Sequence, residues 1–311
     1  MIVDAYCHVG LPRFGSAENA VTVAKRFGID RQVLVLGPSV PDYESLFRAM
    51  SVYPDHIRGI GIPFGRGERR QIEIAEIQLR AGVSGLRLSG DEFLEHPTVP
   101  ELIGLAGRWI YAVGIINNVE ATEGMLNWLE AYPLSRIAAP HFLRPSTAEI
   151  EAPLADLIRH PRFYPIFSHH GGLGSREPYP HADFKPWIQS VVVLAGCESI
   201  LFGSEYLVIF WRNETVNSCL GWIQSSGIAD DEENRTRFLG ETAKRLFFDR
   251  PGPEREDVHI PDWVDEQFDL GRTIPLRDGF EIPMDTFPAR LEGYIDRLKN
   301  EPDAGFIHKD R

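Results

Sequence analysis

The chain has 311 residues, 43% of them hydrophobic and 25% charged, so it can bury a sizeable core. Its formal charge is −13, from 32 basic and 45 acidic residues; that disfavours nucleic acid and anionic membrane as partners but still allows a small anionic substrate in a local basic pocket. Three scattered cysteines, Cys7, Cys197 and Cys219, suit neither a disulfide framework nor a metal spacing, and MIVDAYCHVG lacks signal-peptide character, so a cytoplasmic protein is expected.

Short β-branched runs alternate with amphipathic stretches along the chain. The first run is Ile2–His8, followed by a helical pattern over 16–28 that opens on Ser16 and closes on Gly28. Next come Gln32–Gly37 with a helix over 41–53, Ile57–Phe64 with 67–81, and Ser84–Ser89 with 98–107. The rhythm continues with Trp109–Asn117 and 121–131, then Arg136–Phe142 and a helix over 148–159 placed behind Ser146 and Thr147. Phe163–His169 with 181–195 and Ser199–Glu205 with 212–225 complete eight units. Eight strand-then-helix units predict an α/β protein with a closed (β/α)8 TIM barrel. A doubly wound open sheet usually has fewer strands and often a glycine-rich nucleotide turn after the first, and this chain has no such turn.

The run 239–249 reads as the closing helix, which places a catalytic barrel domain at 1–249. Residues 250–311 are rich in proline and acidic residues and carry one amphipathic helix, Phe287–Lys299. This C-terminal extension is too short and polar for its own core. It is expected to wrap the barrel or a partner subunit, which allows a homo-oligomer; a partly disordered tail is the alternative.

Loops at the carboxyl ends of barrel strands form the working face. Strand side chains alternate between faces, so setting Val3, Ala5 and Cys7 against the helix layer turns Tyr6 and His8 into the barrel. A lone strand histidine is more often structural, but the end of the first strand favours a functional reading. His141 ends the sixth strand, with Arg144 in the following loop. His169 and His170 open a glycine-rich loop after the seventh, where they could act on substrate or cap loop carbonyls. Glu205 ends the apolar eighth strand, where a carboxylate needs a proton, a cation or a task, and Tyr206 follows it. Arg87 lies inside the apolar run Gly85–Ser89 and needs a carboxylate from the protein or from a substrate. With Arg144 it could clamp an anionic ligand; a buried structural ion pair is the alternative.

Several of these stretches resemble one family. Ile2-Val3-Asp4-Ala5-Tyr6-Cys7-His8 is similar to the I-D-x-H-x-H opening of the amidohydrolase superfamily, in its amidohydrolase-2 branch. Gly82 to Arg87 resembles the branch's G-x-x-G-x-R strand, and Pro140 to Pro145 the D-H-x-G-R-P segment of its lactonase-like members, the pyrone-dicarboxylate and sugar-acid lactonases. Phe167-Ser168 and Pro178-Tyr179-Pro180 resemble the stretch before the last helix, Ile200 to Tyr206 the L-x-F-G-S-D-Y strand, and Leu239 to Phe247 the closing L-G-x-N-A-x-x-L-F. The six matches run in order over residues 2–247.

The resemblance implies a water-activating barrel hydrolase. The strand-8 carboxylate, here Glu205, would be the general base. His8 and His141 would orient water or polarise the carbonyl, with Tyr6 and His169 beside them. Arg87, Arg144, His170 and Tyr206 would bind the substrate. The chain departs from the pattern at Tyr6, which replaces the first histidine, at Glu205, which replaces an aspartate, and at Leu143 and Leu207. Tyrosine is a poor metal ligand at neutral pH, since its phenol ionises near ~10. The expected function is therefore metal-independent hydrolysis of a lactone or ester of a carboxylated small molecule, with no cofactor. The alternatives are a hydrolase or decarboxylase with one divalent metal such as zinc at His8, His141 and Glu205, and a catalytically degenerate barrel that binds a ligand.

Overall fold

A computed structural model describes residues 1–115, 118–144, 149–168, 175–177, 181–212, 214–225, 227, 229, 231–269, 273–275, 281–283 and 285–304. All eight expected strands form: β1 (Val3–Val9), β2 (Arg31–Leu36), β3 (Ile57–Gly61), β4 (Gly85–Ser89), β5 (Trp109–Val113), β6 (Arg136–Ala139), β7 (Phe163–Phe167) and β8 (Leu201–Phe202). They lie in one parallel sheet in the order of the sequence. The ring closes between β8 and β1 through two backbone bonds: Glu205 N–H donates to the Tyr6 carbonyl at 2.9 Å, and His8 N–H donates to the Tyr206 carbonyl at 2.5 Å. The fold is the expected (β/α)8 barrel.

The helices between the strands are α1 (Ala17–Arg26), α2 (Tyr43–Val52), α3 (Glu68–Arg80), α4 (Gly90–Glu95), α5 (Thr98–Leu105), α6 (Val119–Ala131), α7 (Leu154–Arg159) and α8 (Lys185–Ala195). After β8 follow α9 (Val216–Ser225), α10 (Glu232–Thr236) and α11 (Thr242–Phe247), the last two joined by a π turn. Side-chain caps start many of them. Ser16 accepts from Asn19 N–H at 3.2 Å and Asn118 from Ala121 N–H at 2.9 Å, satisfying donors that a helix start leaves open.

Several local expectations are corrected. α4 was not foreseen, although Ser89 and Glu92 carry its capping box: Glu92 N–H donates to Ser89 Oγ at 3.1 Å and Ser89 N–H to Glu92 Oε2 at 2.6 Å. α7 starts at Leu154, not at 148, because the residue before a proline is pushed out of the helical region and Pro153 can only stand at the helix's entrance. In β1, Val3 and Ala5 face the barrel interior together with Tyr6, while Cys7 faces the helices as expected. The register against β2 shifts between Asp4 and Cys7, and such a bulge breaks the two-residue alternation.

At the amino end of the barrel, Trp109 stacks on Phe247 with ring centroids 4.6 Å apart, so α11 plugs the floor. The Tyr111 hydroxyl donates to the Ala5 carbonyl at 3.0 Å and ties β5 to β1 across the interior. Aromatic rings thus fill the floor, and the open half lies at the carboxyl ends. The described parts of the segment after Asp249 pack on the outside of the barrel. Glu256 N–H donates to Arg80 O at 2.9 Å, α12 (Trp263–Gln267) lies against Phe64, and α13 (Phe287–Leu298) packs on α1, where Arg26 Nε donates to Leu298 O at 3.1 Å. Among the described residues no helix is long and apolar enough to cross a membrane.

Candidate active site at the barrel mouth

Four of the residues singled out in the sequence meet at the carboxyl ends of β1, β6 and β8. Tyr6 is their centre: its ring lies edge-on to His8 at 4.8 Å and to His141 at 5.4 Å. His141 Nε2 is 3.7 Å from Glu205 Oε1. Glu205 and His8 are buried, and His141 is partly open.

Backbone conformation sets these positions. β6 ends at Ala139, and His141, Phe142, Leu143 and Arg144 all adopt positive φ between 43° and 66°. Glu205 has φ 52°. Left-handed backbone costs a non-glycine residue about 1–2 kcal/mol, so packing elsewhere maintains both catalytic candidates in strained turns. His141 is held by Ser168 from both sides: its N–H donates to Ser168 Oγ at 3.0 Å, and its Nδ1 faces Ser168 O at 3.2 Å. A ring nitrogen facing a carbonyl carries the hydrogen, which leaves Nε2 as the atom that deals with Glu205. His8 is fixed in the same way, with Nδ1 facing Val35 O at 3.3 Å.

Under this cluster lies a buried network that the sequence reading did not use. Asp4 is fully buried and accepts hydrogen bonds from Ser204 Oγ at 2.5 Å, Ser204 N–H at 2.9 Å and Tyr6 N–H at 3.1 Å. Burial pushes its carboxyl up to about 6, against the opposing effect of the hydrogen bonds from Ser204 and Tyr6. Ser204 Oγ also accepts from Tyr206 N–H at 3.0 Å. Asp4 thus fastens the backbone on either side of Glu205. The signal was present: Asp4 is a carboxylate inside an apolar strand, the same feature that drew attention to Glu205. Gly203 is required one step earlier, since a Cβ there would lie 2.7 Å from Tyr6 Cβ.

The remaining candidates lie elsewhere. Arg87 lines a separate cavity on the β2–β4 side of the mouth. Arg144 ends the left-handed turn with an exposed side chain and does not line that cavity. Tyr206 packs its ring edge-on to Phe210 at 5.9 Å, in the apolar layer outside the barrel and not in the interior cluster that holds Tyr6; burial pushes its phenol up. His169 and His170 lie outside the described residues. Beyond these four, His181 and Glu214 form an ion pair at 3.5 Å between the loops after β7 and β8, largely shielded from solvent. Among the described residues no three His, Cys, Asp or Glu side chains form a group that could hold a metal ion. The Tyr6 ring stands beside both histidines, where a shared ligand site for His8, His141 and Glu205 would have to form. Cys7 and Cys219 are buried free thiols.

No family model and no curated protein matches the chain. Solved structures do match. A Pseudomonas putida protein described as a candidate 2-pyrone-4,6-dicarboxylic acid hydrolase aligns with TM-score 0.61 and 18% identity, over 79% of this chain and 96% of its own. A Burkholderia multivorans amidohydrolase with bound zinc aligns with TM-score 0.62 and 11% identity, over 79% and 98%. A 2,6-dihydroxybenzoate decarboxylase in complex with 2,6-dihydroxybenzoate aligns with TM-score 0.55 and 12% identity, over 79% and 98%. At these identities the likeness establishes the shared barrel fold.

Proposed function

We propose that the chain is a hydrolase of the amidohydrolase-2 type that opens a lactone or ester of a carboxylated small molecule. The observation that carries this reading is the buried Glu205 carboxylate 3.7 Å from His141 Nε2, at the mouth of the barrel. Glu205 takes a proton from water as the oxygen attacks the carbonyl carbon. The developing oxyanion is stabilised by the Tyr6 hydroxyl, and by His141 and His8 in the imidazolium form, in which Nε2 carries a hydrogen as well as Nδ1. Collapse of the tetrahedral intermediate breaks the carbon–oxygen bond, and the leaving alkoxide takes the proton back from Glu205. The product is a hydroxy acid, and Glu205 ends the cycle ionised. The likeness to a candidate pyrone-dicarboxylate hydrolase supports the substrate class.

Glu205→Gln keeps the shape and removes the base. Turnover on a panel of carboxylated lactones should fall by about 10²–10⁴-fold, the usual worth of a general base. Turnover unchanged in this variant would remove Glu205 from the mechanism.

The decarboxylase and the zinc-bound amidohydrolase share the fold as well as the hydrolase does, and they favour a second reading, a metal-dependent hydrolase or decarboxylase. Elemental analysis of the purified protein separates the two. One divalent ion per chain, whose removal abolishes turnover, selects the second.

A further inference from the structure

The cavity lined by Arg87 has features the reaction above does not use. It encloses about 320 Å³, within the ~300–1,000 Å³ of small-molecule sites. Its walls come from the chain after β2, after β3, and on and after β4, so it opens at the barrel mouth on the side away from β6 and β8. One wall residue, Gln267, comes from α12, outside the barrel.

α12 shapes the loop it covers. Gln267 Oε1 accepts the Arg66 N–H at 3.0 Å. Trp263 lies parallel to Phe64, at 3° and 6.5 Å, and stands so close to Gly65 that a Cβ there would be 2.8 Å from the indole. Gly65 has φ +105°, a conformation that favours glycine. The β3–α3 loop, and with it Arg66, is therefore set by the extension.

The charge inside is unbalanced. Arg66 and Arg87 line the cavity, and Arg87 Nε is buried with no hydrogen-bond partner among the described residues. Glu92 is the carboxylate among the lining residues, and it is engaged by Ser89 N–H in the cap of α4. A buried guanidinium donor without a partner is costly and calls for an acceptor. In a chain of net charge −13 this is a local positive pocket.

We propose that α12 completes an anion subsite, in which Arg87 and Arg66, the latter positioned by Gln267, bind a carboxylate of the substrate across the mouth from His141 and Glu205. This rests on the reading that the substrate is carboxylated, and it makes Gln267 and Arg66 specificity-determining residues. The extension then selects what the barrel transforms.

The test is calorimetric titration of the full-length protein with isophthalate, and with its uncharged diamide as a control. Gln267→Glu keeps an acceptor for the Arg66 N–H and adds a negative charge to the wall. Arg66→Ala removes one cation, and Arg66→Lys keeps the charge. Isophthalate should bind the wild type, and Gln267→Glu and Arg66→Ala should each weaken it about tenfold, near the worth of one charge-assisted hydrogen bond. Arg66→Lys should recover part of the loss, and the diamide should show no such pattern. Equal affinity in wild type and Gln267→Glu overturns the proposal, as does a wild type that does not bind isophthalate. The same titrations in Glu205→Gln keep this result apart from the assignment of the base, because binding is read without turnover.

Discussion

Replacing Asp4 by asparagine tests whether the network beneath Glu205 is as enclosed as it looks. Asp4 has no exposed surface, and burial pushes its carboxyl from 3.8 to about 6. A folded-state value above the unfolded one means that stability from this group is full below about pH 3.8 and is lost as pH rises through about 6. The shift of about two pKa units amounts to about 3 kcal/mol, of which about 2 kcal/mol falls between pH 4.5 and pH 8. Asparagine does not titrate and can still accept from Ser204 N–H and Tyr6 N–H, so whatever it costs is the same at both pH values. Urea unfolding of both proteins at the two pH values, followed by tryptophan fluorescence, isolates the effect. Wild type should lose about 2 kcal/mol more than Asp4→Asn on going to the higher pH. Parallel losses would show that Asp4 is solvated or ionised at little cost, and the account of the β1–β8 junction would fail.

Two further outcomes follow from the same junction and its loops. Gly203→Ala drives a methyl into Tyr6 and should cost about 1–3 kcal/mol, seen as a lower Tm in calorimetry; an unchanged Tm would mean that β1 can give way there. For His181, burial lowers the imidazole, but the Glu214 and Glu177 hydrogen bonds outweigh it and raise it above 6.5. Its stabilisation is therefore complete below about pH 6.5 and lost as pH climbs through the raised value. Limited proteolysis between β7 and α9 should quicken above neutral pH in wild type relative to His181→Gln, whose pair does not titrate. Equal pH dependence in the two proteins would count against the pair as a clasp.

The barrel was legible because its signal is redundant. Eight β-branched runs alternate with eight amphipathic ones, and an error in any single unit leaves the pattern intact. The failures lie where one residue departs from a regular period. The bulge between Asp4 and Cys7 inserts a residue into a two-residue repeat, and no composition signal marks it. The left-handed run from His141 to Arg144 contains no glycine, so turn chemistry gave no hint of it. Pro153 was visible and should have moved the start of α7. Of the site, the strand ends His8, His141 and Glu205 could be found from position alone. Asp4 was marked by its charge in an apolar strand, but its role, like that of Ser204, depends on the first strand meeting the last. The cavity beside Arg87 depends likewise on α12 returning to the mouth from far along the chain.

That meeting has a bearing on how the protein comes into being. Glu205 leaves the ribosome nearly two hundred residues after Tyr6 and His8. The bonds that seat Glu205 run to Tyr6 and His8 themselves. A nascent chain therefore carries Tyr6 and His8 through nearly two hundred residues of elongation before Glu205 is made. The candidate site is assembled in the same event that shuts the barrel, so a chain that stops short of β8 has neither a closed ring nor the His141–Glu205 pair.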